Sequence, residues 1–372
     1  MWRADPFSCK MAHRGWGHRH MSSAEAQTAA PLRYDFEFRG VGREYFRIWI
    51  VNLALTIATL GVFSAWAKVR TQRYLYGSIF VDGHAFDYHA PPWRILFGRL
   101  IALGLLLGYE GCVLVSPRYG LPWLLVAGLA MPWLVNSSLR FGARYTSYRN
   151  LRFNFTGRYF EALIAYVVWP LAAASTLFAL APMARRARDY FWVNHHSYGG
   201  RFFKTDFKPW RIYLIYGLAT FLFVAVLMLI LMGMGYGAAH LPKEVASNGT
   251  VKEVLFFSTI GAVYFAFLML GPAIETLVIN LVLNRTALDG RHKLTSRMSA
   301  LAVAWITVTN ALLTLATLGL FYPWARVRLM RYRVRRLSLL MEGTLDDYTG
   351  ETLSQSAVGE EIGSLFAFDF GL

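Results

Sequence analysis

Long apolar runs alternate with short polar stretches along this chain. The apolar runs are seven, at residues 46–65, 95–116, 121–138, 162–184, 212–237, 254–283 and 300–323. The stretch Tyr213–Tyr236 has no polar face, whereas a surface helix of a soluble protein would show polar residues every third or fourth position. Runs of roughly 20 residues can cross about 30 Å of hydrocarbon as helices. The pattern therefore predicts a helical protein embedded in a membrane.

A second pattern, alternation of apolar and polar residues, occurs within the polar stretches. It covers Tyr34–Phe38, Phe86–Tyr88, Phe153–Phe155 and Phe202–Phe207, and glycines lie beside each of them. Alternation with period two is typical of β-strands that bury one face. We expect these strands to form a small cytoplasmic β element beside an otherwise helical protein.

One unit of the sequence is present twice. Asn52–Tyr74 and Asn310–Tyr332 lie 258 positions apart and are identical at 14 of 23 positions, which indicates an internal duplication. In both copies an apolar run that contains one glycine ends at a tryptophan and continues directly as a cationic helix. The stretch Thr176–Tyr190 looks like a degenerate third copy. The duplication predicts an architecture built from repeated membrane units.

The basic residues favour one topology. They lie in five clusters, at Lys68–Arg99, Arg140–Arg158, Arg185–Arg211, Arg285–Arg297 and Arg326–Arg336. Basic loops favour the cytoplasmic side, and seven simple crossings would place the third cluster opposite the first. The first, fourth and seventh apolar segments also contain glycine or proline. We therefore predict an all-α polytopic membrane protein with internal repeats. It would have four full spans, three re-entrant or interfacial segments and both termini cytoplasmic. Seven conventional spans are the alternative.

The repeats also suggest how the chain is divided. Residues 1–32 are interpreted as a disordered or over-called N-terminus, 33–160 as a first membrane repeat and 161–297 as a second. Residues 298–337 then form a partial third repeat. Residues 338–372 form an acidic cytoplasmic tail, since no Lys or Arg occurs after residue 341.

Composition narrows the classes of function. The chain is 56% hydrophobic and only 16% charged, with a formal net charge of +16. Because the basic residues lie beside apolar segments, they suit anionic phospholipid headgroups better than nucleic acid. Two cysteines, Cys9 and Cys112, cannot form a disulfide framework or a zinc knuckle. Since the chain also has no phosphate-binding loop, metalloprotease motif or nucleophile elbow, we expect no enzymatic activity and no cofactor or metal.

The motifs resemble those of a known family. The repeated TLGxFxxWAxVRxxRY pattern, the entry FEFRGxGxEYFRIW and the segment Asn284-Arg285-Thr286 are closely similar to the YjgN family of bacterial inner-membrane proteins, which is defined by a domain of unknown function. The resemblance covers roughly residues 33–372. It implies a polytopic protein of the bacterial inner membrane, and it carries over no catalytic or ligand residues.

The repeated cationic helices are candidate sites for an anionic lipid or ligand. The candidate residues are Arg70, Arg73, Arg328, Arg331, Trp66 and Trp324. In each copy the two arginines are three positions apart and share one helix face, and guanidinium groups bind phosphate well. The alternative is a simple anchor, in which the tryptophans lie at the membrane interface and the arginines orient the protein.

Four polar residues lie inside apolar segments. Asn52 and Asn310 are expected to hydrogen-bond between helices, with a polar pathway as the alternative. Glu275 and Glu110 are ionisable residues within apolar runs, where charges are costly and often functional. Glu275 could instead pair with Arg285 to hold the fold.

Two classes of function remain open. The first is a transporter or channel-like protein, which the broken segments, the duplication and Glu275 favour. The second is a non-transporting scaffold that binds anionic lipids or a partner through its basic cytoplasmic face. Transport predicts a polar cavity near Glu275, Asn52 and Asn310, and scaffolding predicts a dry interior.

Overall fold

The computed structural model describes residues 31–240, 242 and 249–349.

The residues at four tight turns favour short β-hairpins. Three two-residue turns, Asp82-Gly83, Arg149-Asn150 and Gly199-Gly200, have both residues at positive φ. Such turns match the twist of two antiparallel strands, and Gly, Asn and Asp adopt this backbone most readily. Asp289-Gly290 takes the same backbone in a fourth hairpin.

The strands form one closed antiparallel barrel in chain order. Each strand pairs with its neighbours along the chain, and β10 pairs with β1 to close the barrel. The ten strands in the described ranges are β1 (Leu32–Phe38), β2 (Ile79–Val81), β3 (His84–Tyr88), β4 (Thr146–Tyr148), β5 (Leu151–Phe155), β6 (His196–Tyr198), β7 (Arg201–Thr205), β8 (Thr286–Leu288), β9 (His292–Ser296) and β10 (Leu337–Met341).

Ten helices connect these strands as five helical hairpins. Each odd-numbered helix leaves the barrel from an odd-numbered strand, and the next helix returns to the following strand. The helices, within the described residues, are α1 (Gly42–Ala58), α2 (Ser64–Gly77), α3 (Pro92–Val115), α4 (Gly120–Arg144), α5 (Tyr159–Ser175), α6 (Ala181–Asn194), α7 (Pro209–His240), α8 (Gly249–Leu283), α9 (Ala300–Ala316) and α10 (Tyr322–Val334).

The helices also close into a ring. Each contacts the next in chain order, and α10 contacts α1. The described residues therefore form a ring of five helical hairpins above a barrel of four β-hairpins and one further strand pair. That pair is made by β1 and β10, which close the barrel without being joined by a turn. Since one barrel contains all the strands, the five basic clusters extend from a single face of the helical ring.

The prediction of an all-α protein with a small β element is wrong. The alternating stretches are strands of a closed ten-stranded barrel. Each strand is only three to seven residues long, so the sequence shows the local hairpins but not the pairing between them. Neighbouring hairpins are separated by whole helical hairpins, and their pairing depends on non-local contacts that no local pattern encodes.

Three of the helical hairpins are short and share one turn. At Leu60-Gly61, Leu177-Phe178 and Leu318-Gly319 both residues have positive φ, and this ends the first helix of the pair. The same backbone bond closes each turn, for example from the Gly61 amide to the Thr56 carbonyl at 2.7 Å. The segment interpreted as a degenerate third copy thus folds as the other two do.

The tips of these short hairpins are apolar and project outward. Leu60, Leu177 and Leu318 are 95%, 92% and 93% exposed. Helix α2 begins at Ser64, after this turn, and Lys68 lies four positions further on, about 6 Å along the helix at 1.5 Å per residue. That distance is less than half of a hydrocarbon core of about 30 Å. The geometry suits insertion into one leaflet rather than a crossing.

Four helices of the described chain are long and apolar enough to cross a membrane. They are Pro92–Val115, Pro117–Arg144, Pro209–Gly237 and Gly249–Leu283, and they contain the four segments expected to span. Few residues of their most apolar stretches are buried within the protein. Long apolar helices with so few buried residues need hydrocarbon around them. The described residues thus contain four helices of spanning length and apolarity, fewer than seven conventional spans would need.

Candidate functional site

A cavity lies on the common axis of the helical ring and the barrel. Its wider part has a volume of about 510 Å³ and is lined by residues of all five returning helices, α2, α4, α6, α8 and α10. Lys68, Gln72 and Ser138 supply polar groups there, whereas most of the lining is apolar. We call this space, together with its continuation into the barrel, the axial chamber.

Inside the barrel the chamber narrows to about 280 Å³. The two parts share a set of lining residues at the middle of the odd-numbered strands. These residues, here called the phenylalanine ring, are Phe36, Phe86, Phe153, Phe203 and Leu294. Since side chains alternate along a strand, each of the five strands points its central residue into the lumen. The sequence shows four of these residues as the apolar members of alternating stretches.

The far end of the barrel is closed by the residues that follow β10. Leu345 and Tyr348 are almost fully buried against Met341 and the barrel interior. The Tyr348 hydroxyl donates to the carbonyl of Tyr198 at 3.1 Å. Asp346 forms an ion pair with Arg149 at 2.5 Å. Residues 342–349 therefore act as a cap in this conformation.

Tyrosines line the capped end as neutral hydrogen-bond donors. The Tyr148 hydroxyl donates to the carbonyl of Val81, and the Tyr198 hydroxyl donates to the carbonyl of Tyr148. Burial raises the pKa of Tyr148 to about 12 and also raises the pKa of Tyr198. These side chains stay uncharged at neutral pH, so they add no charge to the lumen.

The two asparagines of the duplicated unit hold the short hairpins together. Asn52 Nδ2 donates to the carbonyl of Ala67 at 3.4 Å, and Asn310 Nδ2 donates to the carbonyl of Ala325 at 3.0 Å. Both asparagines are buried. Asn52 and Asn310 line separate cavities rather than one polar pathway.

The four candidate arginines contact the protein itself. Arg70 and Arg328 donate to the side-chain oxygens of Asn52 and Asn310 at 3.4 and 3.3 Å. Arg73 donates to the carbonyl of Tyr88, and Arg331 donates to the carbonyl of Gly40. The cationic faces that the sequence singled out thus join helices and strands in this conformation.

The candidate tryptophans pack against neighbouring aromatic rings. Trp66 lies edge-on to Trp93 with ring centroids 4.8 Å apart, and Trp324 lies 4.9 Å from Phe46. In each case the partner ring belongs to the helix of an adjacent hairpin. The tryptophans therefore help to join consecutive hairpins of the ring.

Glu275 binds a different arginine from the one considered in the sequence. Arg185 donates to both carboxylate oxygens of Glu275, at 2.5 and 3.0 Å, and it also pairs with Asp189 at 2.8 Å. Burial opposes the charge on Arg185, but the two carboxylates outweigh it and raise the pKa of the guanidinium. Burial raises the pKa of Asp189. Glu110 is exposed, five residues before the end of α3.

A cleft that sequence reasoning missed lies between the two duplicated hairpins. It has a volume of about 350 Å³, and its charged lining consists of Lys68 of α2, Arg99 of α3 and Arg326 of α10. We call it the cationic cleft. Lys68 and Arg326 occupy equivalent positions of the repeat, so the repeat already grouped these two cations in the sequence. The distant Arg99 joins them only through folding.

Comparisons with known proteins agree with the resemblance seen in the motifs. The sequence profile of a family described as "Bacterial protein of unknown function (DUF898)" matches residues 33–365. The chain is 32% identical over 123 residues to inner membrane protein YjgN of Escherichia coli O157:H7, which covers 33% of this chain and 31% of that relative. YjgN of Escherichia coli strain K12 is 30% identical over 132 residues. YjgN of Salmonella typhimurium is 29% identical over 126 residues, with 30% of that relative covered.

The matched region spans about a third of these curated relatives. No solved structure matches the chain. The predicted membership of the YjgN family is confirmed by the profile and the relatives together.

Proposed function

We propose that this membrane protein, a member of the DUF898 family whose curated relatives here are inner-membrane proteins, is channel-like. Its passage would follow the axis shared by the helical ring and the barrel. It would require no catalytic step. The observation that supports the proposal is the axial chamber, which continues from the five returning helices into the barrel lumen.

The phenylalanine ring would act as the gate of this passage. Phe86 lies 6.4 Å from both Phe36 and Phe153, measured between ring centroids, so the rings crowd one level of the lumen. A narrow apolar constriction excludes water and thereby blocks ions, and widening or hydrating it allows conduction. The cap at residues 342–349 closes the passage a second time.

The orientation follows from charge. We propose a multi-pass protein with the barrel in the cytoplasm, because the five basic clusters extend from the barrel face of the ring and basic segments favour that side. Leu32 and Met341, the ends of the barrel strands, lie on the same side. Both termini would then be cytoplasmic.

Adjacent residues of β7 provide a matched test of the gate. Phe203 lines the chamber, whereas Phe202 is 42% exposed on the outer face. We expect Phe203→Ser to raise the ion conductance of the purified protein in planar bilayers at least about tenfold, because a hydroxyl hydrates the constriction. Phe202→Ser should leave conductance at the wild-type level. Equal conductance in wild type and both variants would contradict the proposed passage.

A non-transporting scaffold remains the second candidate, and the cationic cleft favours it. A scaffold would not need the chamber. Gly142 lines the chamber and has open space where a Cβ would lie. If Gly142→Phe fills the chamber and leaves the conductance of the Phe203→Ser variant unchanged, the axial passage is wrong and the scaffold is favoured.

A further inference from the structure

Three cations converge in the cationic cleft without a carboxylate partner. No described Asp or Glu forms an ion pair with Lys68, Arg99 or Arg326. The three come from three different helices, so folding brings them together at a cost in repulsion. Arg99 donates to the hydroxyl of Ser64, and Arg326 donates to the Tyr322 hydroxyl at 3.4 Å. These neutral partners leave the positive charge uncompensated.

The short hairpin formed by α5 and α6 has a cation at the position equivalent to Lys68 and Arg326, and there the protein itself supplies carboxylates. Lys68, Arg185 and Arg326 each lie nine positions after the turn threonine of their hairpin, which is Thr59, Thr176 or Thr317. Arg185 is compensated by Glu275 and Asp189. The equivalent positions of the first and fifth hairpins have no such carboxylates among the described residues. These two cations are therefore available to an external anion.

The shape of the cleft suits a phosphate ester at the membrane interface. Hydroxyl and amide groups of Ser64, Thr71 and Gln72 lie beside the cations, while Trp49 and Leu53 form an apolar wall. Lys68 lies in the second turn of α2, shortly after the apolar tip at Leu60-Gly61. If that tip enters the membrane, the cations lie near the headgroup layer. Guanidinium groups bind phosphate oxygens bidentately.

We propose that the cationic cleft binds a phosphate ester through Lys68, Arg99 and Arg326. The anion would be the phosphate of a phospholipid headgroup or that of a soluble phosphate compound. This site adjoins the proposed axial passage, but anion binding there does not require conduction through the passage. Lys68 and Gln72 also line the axial chamber, so the bound anion would lie beside its wall.

Native mass spectrometry of the purified full-length protein tests the proposal with phosphatidylglycerol as the probe. We expect Lys68→Gln/Arg326→Gln to bind this lipid at least about tenfold more weakly than wild type, because two charge-assisted contacts are lost. Arg152→Gln/Lys204→Gln is the matched control. It removes the same charge from exposed positions of β5 and β7 and should stay within about twofold of wild type.

Two further probes complete the experiment. If inorganic phosphate displaces phosphatidylglycerol from wild type, the cleft takes soluble phosphate compounds; if it does not, the cleft takes the headgroup of a lipid. Diacylglycerol with the same chains lacks the phosphate and should bind weakly. The proposal is overturned if diacylglycerol binds as tightly as phosphatidylglycerol. It is also overturned if the two double variants lose the same affinity, or if neither loses any.

Discussion

The short and the long helical hairpins occupy equivalent places in the ring yet differ in the length of their apolar helices. In the short ones a left-handed turn reverses the chain after a helix of 17 residues, as at Leu318-Gly319. In the long ones the helices continue for 24 to 35 residues before the chain returns, as in Pro92–Val115 and Gly249–Leu283. Both kinds connect to the same barrel.

The difference teaches that a hairpin's depth and its place in the fold are set separately. Depth depends on where the apolar run is interrupted, which is a local property of the backbone. The place in the ring depends on the strand that follows, because each returning helix leads into the next barrel strand. A repeat unit can therefore carry short or long helices without disturbing the barrel.

Cysteine labelling should show the largest difference between the short and the long hairpins. In a chain whose Cys9 and Cys112 are replaced by Ser, Arg118→Cys at the turn of the second hairpin should react with an impermeant maleimide added outside the cell. Leu177→Cys should react from neither side, because its tip would lie within hydrocarbon. Lys204→Cys in the barrel should react only after the membrane is opened. Labelling of Leu177→Cys from outside would show that the third hairpin crosses.

Substitution at the shared turn should give the next largest effect. Gly319 has φ 93° and Phe178 has φ 66° at the equivalent position. A side chain in left-handed backbone costs about 1–2 kcal/mol. We expect Gly319→Phe to lower the free energy of unfolding by that amount and Phe178→Gly to raise it by up to about 1 kcal/mol. Unfolding in sodium dodecyl sulfate mixed micelles measures both.

The control for this pair is Gly217→Phe. Gly217 lies within the long helix α7, and nothing would meet its added Cβ. We expect little change there. If Phe178→Gly destabilises the protein as strongly as Gly319→Phe, the three turns do not share one conformation and the comparison fails.

The ion pair between the third and fourth hairpins should give the smallest effect. In a double-mutant cycle, Arg185→Gln and Glu275→Gln should show a coupling energy of about 1 kcal/mol, measured in the same micelles. We expect no larger coupling energy because the Glu275 side chain is 43% exposed, and solvent weakens an exposed ion pair. Asp189→Asn should couple to Arg185→Gln as well, since both carboxylates bind one guanidinium. Strictly additive effects would mean that the pair does not join the hairpins.

Much of the local structure could be predicted from the residues. The four long helices coincide with four apolar runs because length and hydropathy are properties of the segment alone. The strands were visible at Phe153–Phe155 and Phe202–Phe207 because alternation reports one buried face. The breaks at Gly61 and Gly319 were visible because glycine interrupts an apolar helix.

The candidate site was less predictable. The sequence made Arg70 and Arg328 candidates for an anion site, with a simple anchor as the alternative, and it did not show that both would donate to Asn52 and Asn310 in the fold. Which side of a cationic helix faces a cleft depends on its neighbours, and these belong to other hairpins. The partner of Glu275 is Arg185, 90 positions away, and no spacing rule connects them.

The sequence by itself determined the elements: apolar helices, their breaks, the tight strand turns and the basic stretches that follow. These depend on local backbone preference and on contact with lipid or water. Only the tertiary structure decided that four β-hairpins close into a barrel through the pairing of β1 with β10, and that Lys68, Arg99 and Arg326 share one cleft. Closure and convergence require residues far apart in the chain to meet, and their energies come from non-local pairing that a linear pattern does not carry.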